Sequence, residues 1–281
     1  MGKFDGIHIG HKKLLSLITN EKADSLASVV FTFEPSPEEF FTGRKIPQLF
    51  TRDEKRRAFE EMGIDYLLEF PLTKESAATP PDTFVREILV GKLRASYIAA
   101  GVDVSFGDKG RGDCFLLRNL SRELGYDLEL IDKVRVDGEE VSSSRVRREV
   151  ADGNMEMAKR LLGDYYSISG IIEHGRHLGH TIGIPTVNLL PPDNKLLPPY
   201  GVYSSIVTLD GKSYRGMTNI GRKPTISDGE RVGAETYIYD FDSDVYGKFM
   251  SLKLTRFMRP EMKFDSIEAL KARMQEDIKK T

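Results

Sequence analysis

The feature that most constrains the fold is a change of pattern at Gly163. Before it, β-branched and aromatic runs of strand length alternate with stretches of helical period; after it, strand-like runs follow one another directly. In the first part, strands are expected over residues 27–33, 64–70 and 96–100. Helices are expected from His11, where Leu14, Leu15, Leu17 and Ile18 share a face, and from Thr51, which with Glu54 forms a capping box ahead of Gly63. Two more are expected through Phe84, Val85, Ile88 and Leu89, and over residues 116–124 up to Gly125. Such alternation implies an α/β domain built on a mostly parallel sheet with helices on both faces. Helices over 146–151 and 155–162 close this domain, so the boundary is placed at 163/164. Beyond it, strands are expected over 165–173, 201–209, 214–219, 234–241 and 250–257, with Asp210-Gly211 as a hairpin turn. One terminal helix carries Ile267, Leu270, Met274 and Ile278 on a stripe that packs on the strands. Antiparallel strands with one helix imply a small closed β-barrel.

Composition excludes several classes. The 281 residues carry a net charge of −2, so the broad basic face of a nucleic-acid binder is missing. No apolar run of membrane-span length and no basic-then-apolar stretch is seen, so neither a membrane span nor a secretion signal is expected. The single cysteine, Cys114, rules out an internal disulfide, fits a cytoplasmic location and is expected to be buried in the run 114–117.

Chemistry concentrates at loops. In Gly2-Lys3-Phe4-Asp5-Gly6-Ile7-His8-Ile9-Gly10-His11, two imidazoles flank a glycine at a helix start, where free N–H groups and the helix dipole favour phosphate. Only Met1 precedes Gly2, so the buried strand that normally leads into a first phosphate loop is expected to be missing. The Gly-rich loop 101–113 is either an ordinary surface loop or a mobile one at the ligand. Ser142, Ser143 and Ser144 followed by Arg145 and Arg147 at a helix start make either a plain cap or a second anion site. In the second half, Thr186 and Asn188 offer oxygen ligands and Glu235 stands early in an apolar strand; taken singly, each is an unremarkable turn or strand residue. No Gly-x-x-x-x-Gly-Lys-Ser/Thr motif occurs. His174, His177 and His180 read as flap residues rather than a metal triad.

The opening segment resembles the His-x-Gly-His signature of the nucleotidylyltransferases, in the form found in bacterial FAD synthetases. Gly101-x-Asp103-x-x-Phe106-Gly107, Arg111-Gly112-Asp113 and the 141–147 segment resemble the same family, with Val141 and Ser144 as mild departures and Ser36 standing where the family often has His. The run from Gly175 to Asn188, with Val187 in place of the usual Ala, resembles the riboflavin kinase signature; so do the segments around Gly201, Asn219 and Glu235. The order of motifs is that of the bifunctional riboflavin kinase/FMN adenylyltransferases. The resemblance implies a Rossmann-like nucleotidylyltransferase domain over 1–163, a riboflavin kinase barrel over 164–281, and conversion of riboflavin through FMN to FAD with ATP and Mg²⁺. It implies catalytic roles for His8, His11, Ser143, Arg145 and Glu235. Gly2, Phe4, Gly10, Ser142, Ser144, Gly175, Gly179, Gly183 and Asn219 would bind ATP, and Asp103, Phe106, Gly201 and Tyr203 flavin, with Mg²⁺ on Thr186 and Asn188. Rival readings are a kinase with an inert first domain, because its first strand is missing, and a non-catalytic flavin-binding protein.

Overall fold

The computed structural model describes residues 1–20, 26–174, 184–224 and 230–279. It divides into two compact units, Met1–Ser143 and Ser144–Thr281.

In the first unit, strands β1 (Val29–Glu34) and β2 (Tyr66–Pro71) pair in parallel, as do β3 (Tyr97–Gly101) and β4 (Asp127–Ile131). The expected parallel pairing is present, but as two separate two-stranded sheets rather than one continuous one. Two short strands, β5 (Arg135–Val136) and β6 (Glu139–Glu140), form a hairpin. The caps act as the sequence indicates. Thr51 Oγ1 accepts the Glu54 N–H while the Glu54 carboxylate accepts the Thr51 N–H, opening the helix Arg52–Glu61. Gly125, at φ 75°, closes the helix Cys114–Leu124. Apolar side chains form two clusters, one around Phe31, Phe84, Val85 and Leu117, the other around Phe4, Leu15, Val30 and Phe59. Cys114 opens its helix half-buried instead of enclosed, because the helical period turns Leu117 inward and Phe115 out to solvent.

The second unit is a closed antiparallel barrel in the order β10-β11-β8-β7-β12-β9. Its strands are β7 (Tyr166–Glu173), β8 (Thr186–Leu189), β9 (Gly201–Leu209), β10 (Lys212–Pro224), β11 (Glu230–Ile238) and β12 (Phe249–Pro260). The hairpin between β9 and β10 turns on Asp210 and Gly211, both at positive φ. Alternation sends Ile172, Leu189, Ile220 and Ala234 inward, all buried. The helix Ile267–Lys279 lays Met274 and Ile278 on Val202, Met217 and Tyr239, while Ile267, in its first turn, stays exposed; the expected stripe packs only at its far end. Asp277 on this helix is buried against Arg259 and Arg273.

Candidate active sites

In the first unit, a tightly folded loop positions the histidines. Phe4, Gly6 and Ile7 all have positive φ, and a Cβ on Gly6 would stand 2.6 Å from Leu49 Cδ1. One Asp5 carboxylate oxygen accepts the Leu49 and Phe50 N–H groups, pinning the loop from its middle. His8 precedes the helix Ile9–Asn20 and its ring stacks on that of His11, centroids 3.7 Å apart and 14° from coplanar. The His11 N–H donates to His8 Nδ1, which leaves the His8 proton on Nε2 as a donor. A Cβ on Gly10 would press on His8 Cε1 and Nδ1 at 3.2 Å, so Gly10 leaves room for that ring. His11 Nδ1 is buried and meets no hydrogen-bond partner among the described residues.

Burial sets the charge of this pair. It lowers His8 to about 4 against opposing pulls from a backbone hydrogen bond, Asp5 and Asp103. It lowers His11 to about 3, reinforced by His8 and the chain's amino terminus. Both rings are therefore neutral at pH 7 and act first as hydrogen-bond donors; a polyphosphate placed against them raises both pKa values.

The remaining residues of this unit divide by what their side chains touch. Ser143 Oγ donates to the Asp5 carbonyl at 2.8 Å, tying the serine segment to the histidine loop. Phe4 is buried, packed between His11 and Phe59, so its side chain supports the imidazoles from beneath and only its backbone is left for a ligand. Phe106, expected at flavin, is buried against Phe84; an aromatic ring beside an aromatic core is drawn into it. The loop that carries Phe106 is closed by paired backbone bonds between Phe106 and Gly112, and Asp108 N–H donates to the Thr79 carbonyl. Asp103 is exposed and paired with Lys133 at 3.3 Å. Ser36 caps the helix Pro37–Thr42. In the second unit, Ser144 is exposed, whereas Arg145 is buried in the helix Ser143–Ala151.

The barrel assembles a second site by register. Glu235 stands opposite Asn188 on β8 and opposite Asn219 on β10, and Asn188 stands opposite Glu173 on β7. Directly opposed residues share a face, so these four side chains form one row on the outer surface of the barrel. Thr186, two residues before Asn188 and on the same face, donates its hydroxyl to Glu235 Oε1 at 2.7 Å. Asn219 Nδ2 donates to Glu261 Oε1 at 3.1 Å, a partner the sequence reading did not single out. The Glu261 carboxylate, at the end of an exposed side chain, also lies where a Cβ on Gly221 would be and would have to swing aside for a larger residue. Tyr203, expected at flavin, is fully buried with its hydroxyl on the Pro199 carbonyl and its ring against Phe257, and burial raises its pKa. Gly201 lies where a Cβ would strike the Arg259 carbonyl at 2.3 Å. Gly175, Gly179, Gly183, His177 and His180 lie outside the described residues. His174 stacks on Tyr246. Among the described residues no three His, Cys, Asp or Glu side chains converge as a metal site.

An α/β unit with an imidazole pair at a helix tip, followed by a closed barrel with a carboxylate among oxygen donors, defines a two-domain transferase. Comparison with known proteins narrows this. Residues 1–145 match the FAD synthetase family model and residues 162–281 the riboflavin kinase model. The bifunctional riboflavin kinase/FMN adenylyltransferase of Escherichia coli K12 is 37% identical over 280 residues, covering 99% of this chain and 89% of that protein. That of Listeria monocytogenes is 31% identical over 286 residues, covering 100% and 90%. A crystal structure described as a macrolide-efflux protein from Streptococcus pneumoniae superposes with a TM-score of 0.85 at 30% identity, covering 99% and 91%. No helix among the described residues is long and apolar enough to cross a membrane. The chain belongs to the family of bifunctional riboflavin kinase/FMN adenylyltransferases.

Proposed function

We propose that the chain converts riboflavin to FMN and FMN to FAD in two ATP-dependent transfers. The observation that carries this reading is the outer row of the barrel, where Thr186, Asn188 and Glu235 meet by strand register, with the Thr186 hydroxyl on the Glu235 carboxylate. In the kinase step, Glu235 accepts the proton of the ribityl 5′-hydroxyl as its oxygen bonds to the γ-phosphorus and the bond to the β,γ-bridging oxygen breaks, releasing ADP. Thr186 fixes one carboxylate oxygen and so orients the base. The donors of Thr186 and Asn188 are hard oxygens, which suit Mg²⁺, and these two residues would hold it. When bound, the ion supplies charge neutralisation at the phosphate oxygens. Gly175, Gly179 and Gly183 would line the triphosphate with their amides, and Asn219, held by Glu261, would meet the nucleotide.

In the adenylyl step, an FMN phosphate oxygen attacks the α-phosphorus of a second ATP and pyrophosphate leaves, with no covalent enzyme intermediate and no role for Cys114. His8 through Nε2–H, and His11 beside it, donate to the α-phosphate as negative charge builds there. The amides near Phe4 and Gly10, in the loop and first turn that open the helix Ile9–Asn20, would receive the triphosphate, and Gly2, whose own N–H is held by the Phe31 carbonyl, would contact ATP without donating that amide. Ser142, Ser143, Ser144 and Arg145 would take the departing pyrophosphate. Asp103 would meet the flavin through its side chain. Phe106, Gly201 and Tyr203 would do so only through backbone, because the two rings are committed to the core and Gly201 has no side chain.

The test is to incubate the chain with riboflavin, ATP and Mg²⁺ and separate the flavins. Glu235→Gln is expected to stop FMN formation while added FMN still becomes FAD; His8→Ala with His11→Ala is expected to do the reverse. Wild-type chain that makes FMN but never FAD refutes the second half of the reading. Flavin bound with no ATP consumed refutes both halves.

A further inference from the structure

The outer row of the barrel carries one acidic residue that the two proposed transfers leave without a task. Glu173, the last residue of β7, stands directly opposite Asn188 on β8, and Asn188 stands opposite Glu235 on β11. The next pair along the same two strands, Ile172 and Leu189, is buried inside the barrel, so Glu173 and Asn188 face outward, and Glu173 is exposed. Asn188 is thus the middle of a three-strand row with a carboxylate on either side. The two carboxylates differ in what they meet. Glu235 accepts the Thr186 hydroxyl at 2.7 Å and is assigned the proton transfer. Glu173 meets no hydrogen-bond or ion-pair partner among the described residues, whereas the exposed acids Asp164 and Asp210 of the same unit are each held by a lysine at 2.7 Å.

The donors proposed for the cation are short of charge. Thr186 and Asn188 present neutral oxygens, whereas Mg²⁺ is generally bound through one or two carboxylates while it keeps several waters. Neighbouring strands lie about 4.8 Å apart, and a metal–oxygen distance of about 2.1 Å followed by a charge-assisted hydrogen bond of about 2.6 Å spans about the same length. A carboxylate one strand away from a metal ligand is therefore placed to accept from a metal-bound water rather than to ligate directly. We infer that Glu173 is a positioning residue for the divalent cation at Thr186 and Asn188, accepting from its water shell and adding the negative charge that those two ligands lack. The inference rests on the proposed placing of the cation at Thr186 and Asn188. Its sign follows from charge alone: removing the carboxylate weakens cation binding, and a positive charge in its place weakens it further. A carboxylate that is merely solvated on the barrel surface leaves cation binding unchanged when it is replaced.

The experiment uses the full chain with saturating ADP and with Mn²⁺ as the probe, the free ion being counted by its electron paramagnetic resonance signal. Four forms are compared: unmodified, Glu173→Gln, Glu173→Lys and Asn188→Ala. Manganese still bound by Asn188→Ala belongs to other places on the chain and is subtracted from every form. Glu173→Gln is expected to raise the dissociation constant at the barrel by about threefold or more, toward the tenfold typical of a group behind a metal ligand, and Glu173→Lys by more than Glu173→Gln. In riboflavin phosphorylation, the Mg²⁺ concentration that gives half the maximal rate is expected to rise in the same order. Glu173 is exposed and both replacements are of similar length, so the barrel retains its fold. A loss under about threefold in Glu173→Gln, with binding clearly weakened in Asn188→Ala, overturns this inference and leaves the cation at Thr186 and Asn188. Binding unchanged in Asn188→Ala as well overturns the inference together with that placing.

Discussion

The histidine pair makes a sharp prediction about acid stability. His8 and His11 are the only histidines of the first unit, because the other three of the five lie at 174, 177 and 180. Both have folded-state pKa values, about 4 and about 3, below the ordinary 6.5. The unfolded chain therefore binds protons that the folded chain refuses, and stability contributed by the neutral rings is complete above 6.5 and drains away as pH falls toward the folded values. At about pH 5, each ring costs about 1.36 kcal/mol for each of about 1.5 pH units below the unfolded pKa, or about 2 kcal/mol. This figure is insensitive to how deeply the folded values are depressed, since any value well below 5 gives the same loss. The pair together loses about 4 kcal/mol between about pH 7.5 and about pH 5, a large share of a typical 5–15 kcal/mol stability. The assay is urea unfolding by far-UV circular dichroism at the two pH values, comparing wild type with the His8→Gln, His11→Gln double variant. Groups shared by the two proteins cancel in the difference. A double variant that loses as much stability as wild type over this interval refutes the claim that the pair is buried and neutral.

Other outcomes follow from single contacts. Gly6→Ala adds a Cβ 2.6 Å from Leu49 Cδ1 at φ 80°, and is expected to lower stability by about 1–3 kcal/mol, read from the thermal midpoint. Asp277→Ala leaves Arg259 and Arg273 facing a buried gap and is expected to cost about 3–5 kcal/mol, seen as a lower urea midpoint for the barrel unit. Thr186→Val removes the hydroxyl that orients Glu235; riboflavin phosphorylation is expected to fall by about a hundredfold or more while adenylylation of supplied FMN is unchanged, as flavin separation by chromatography shows.

Local chemistry wrote much of this protein openly. The Thr51–Glu54 capping box, the glycine stops at Gly63 and Gly125, the Asp210-Gly211 turn and the switch at Gly163 from alternating elements to successive strands all act over a few residues. Short-range signals of this kind survive in the sequence because the partners are neighbours. The family motifs were legible for the same reason, each being a contiguous run.

What the sequence left undecided is whatever depends on partners far apart in the chain. Thr186 and Glu235 meet across 49 residues because β8 and β11 pair in one register, and a slip of one residue would turn Glu235 to the other face. Ser143 reaches the Asp5 carbonyl across 138 residues. Phe106 and Tyr203 sit in motif segments yet point into the core, because a buried aromatic ring gains more from packing than an exposed one from facing a ligand loop. Alternation of strands and helices likewise foretold parallel pairing but not its division into two separate two-stranded sheets, since which strands become neighbours is settled by the packing of the whole unit.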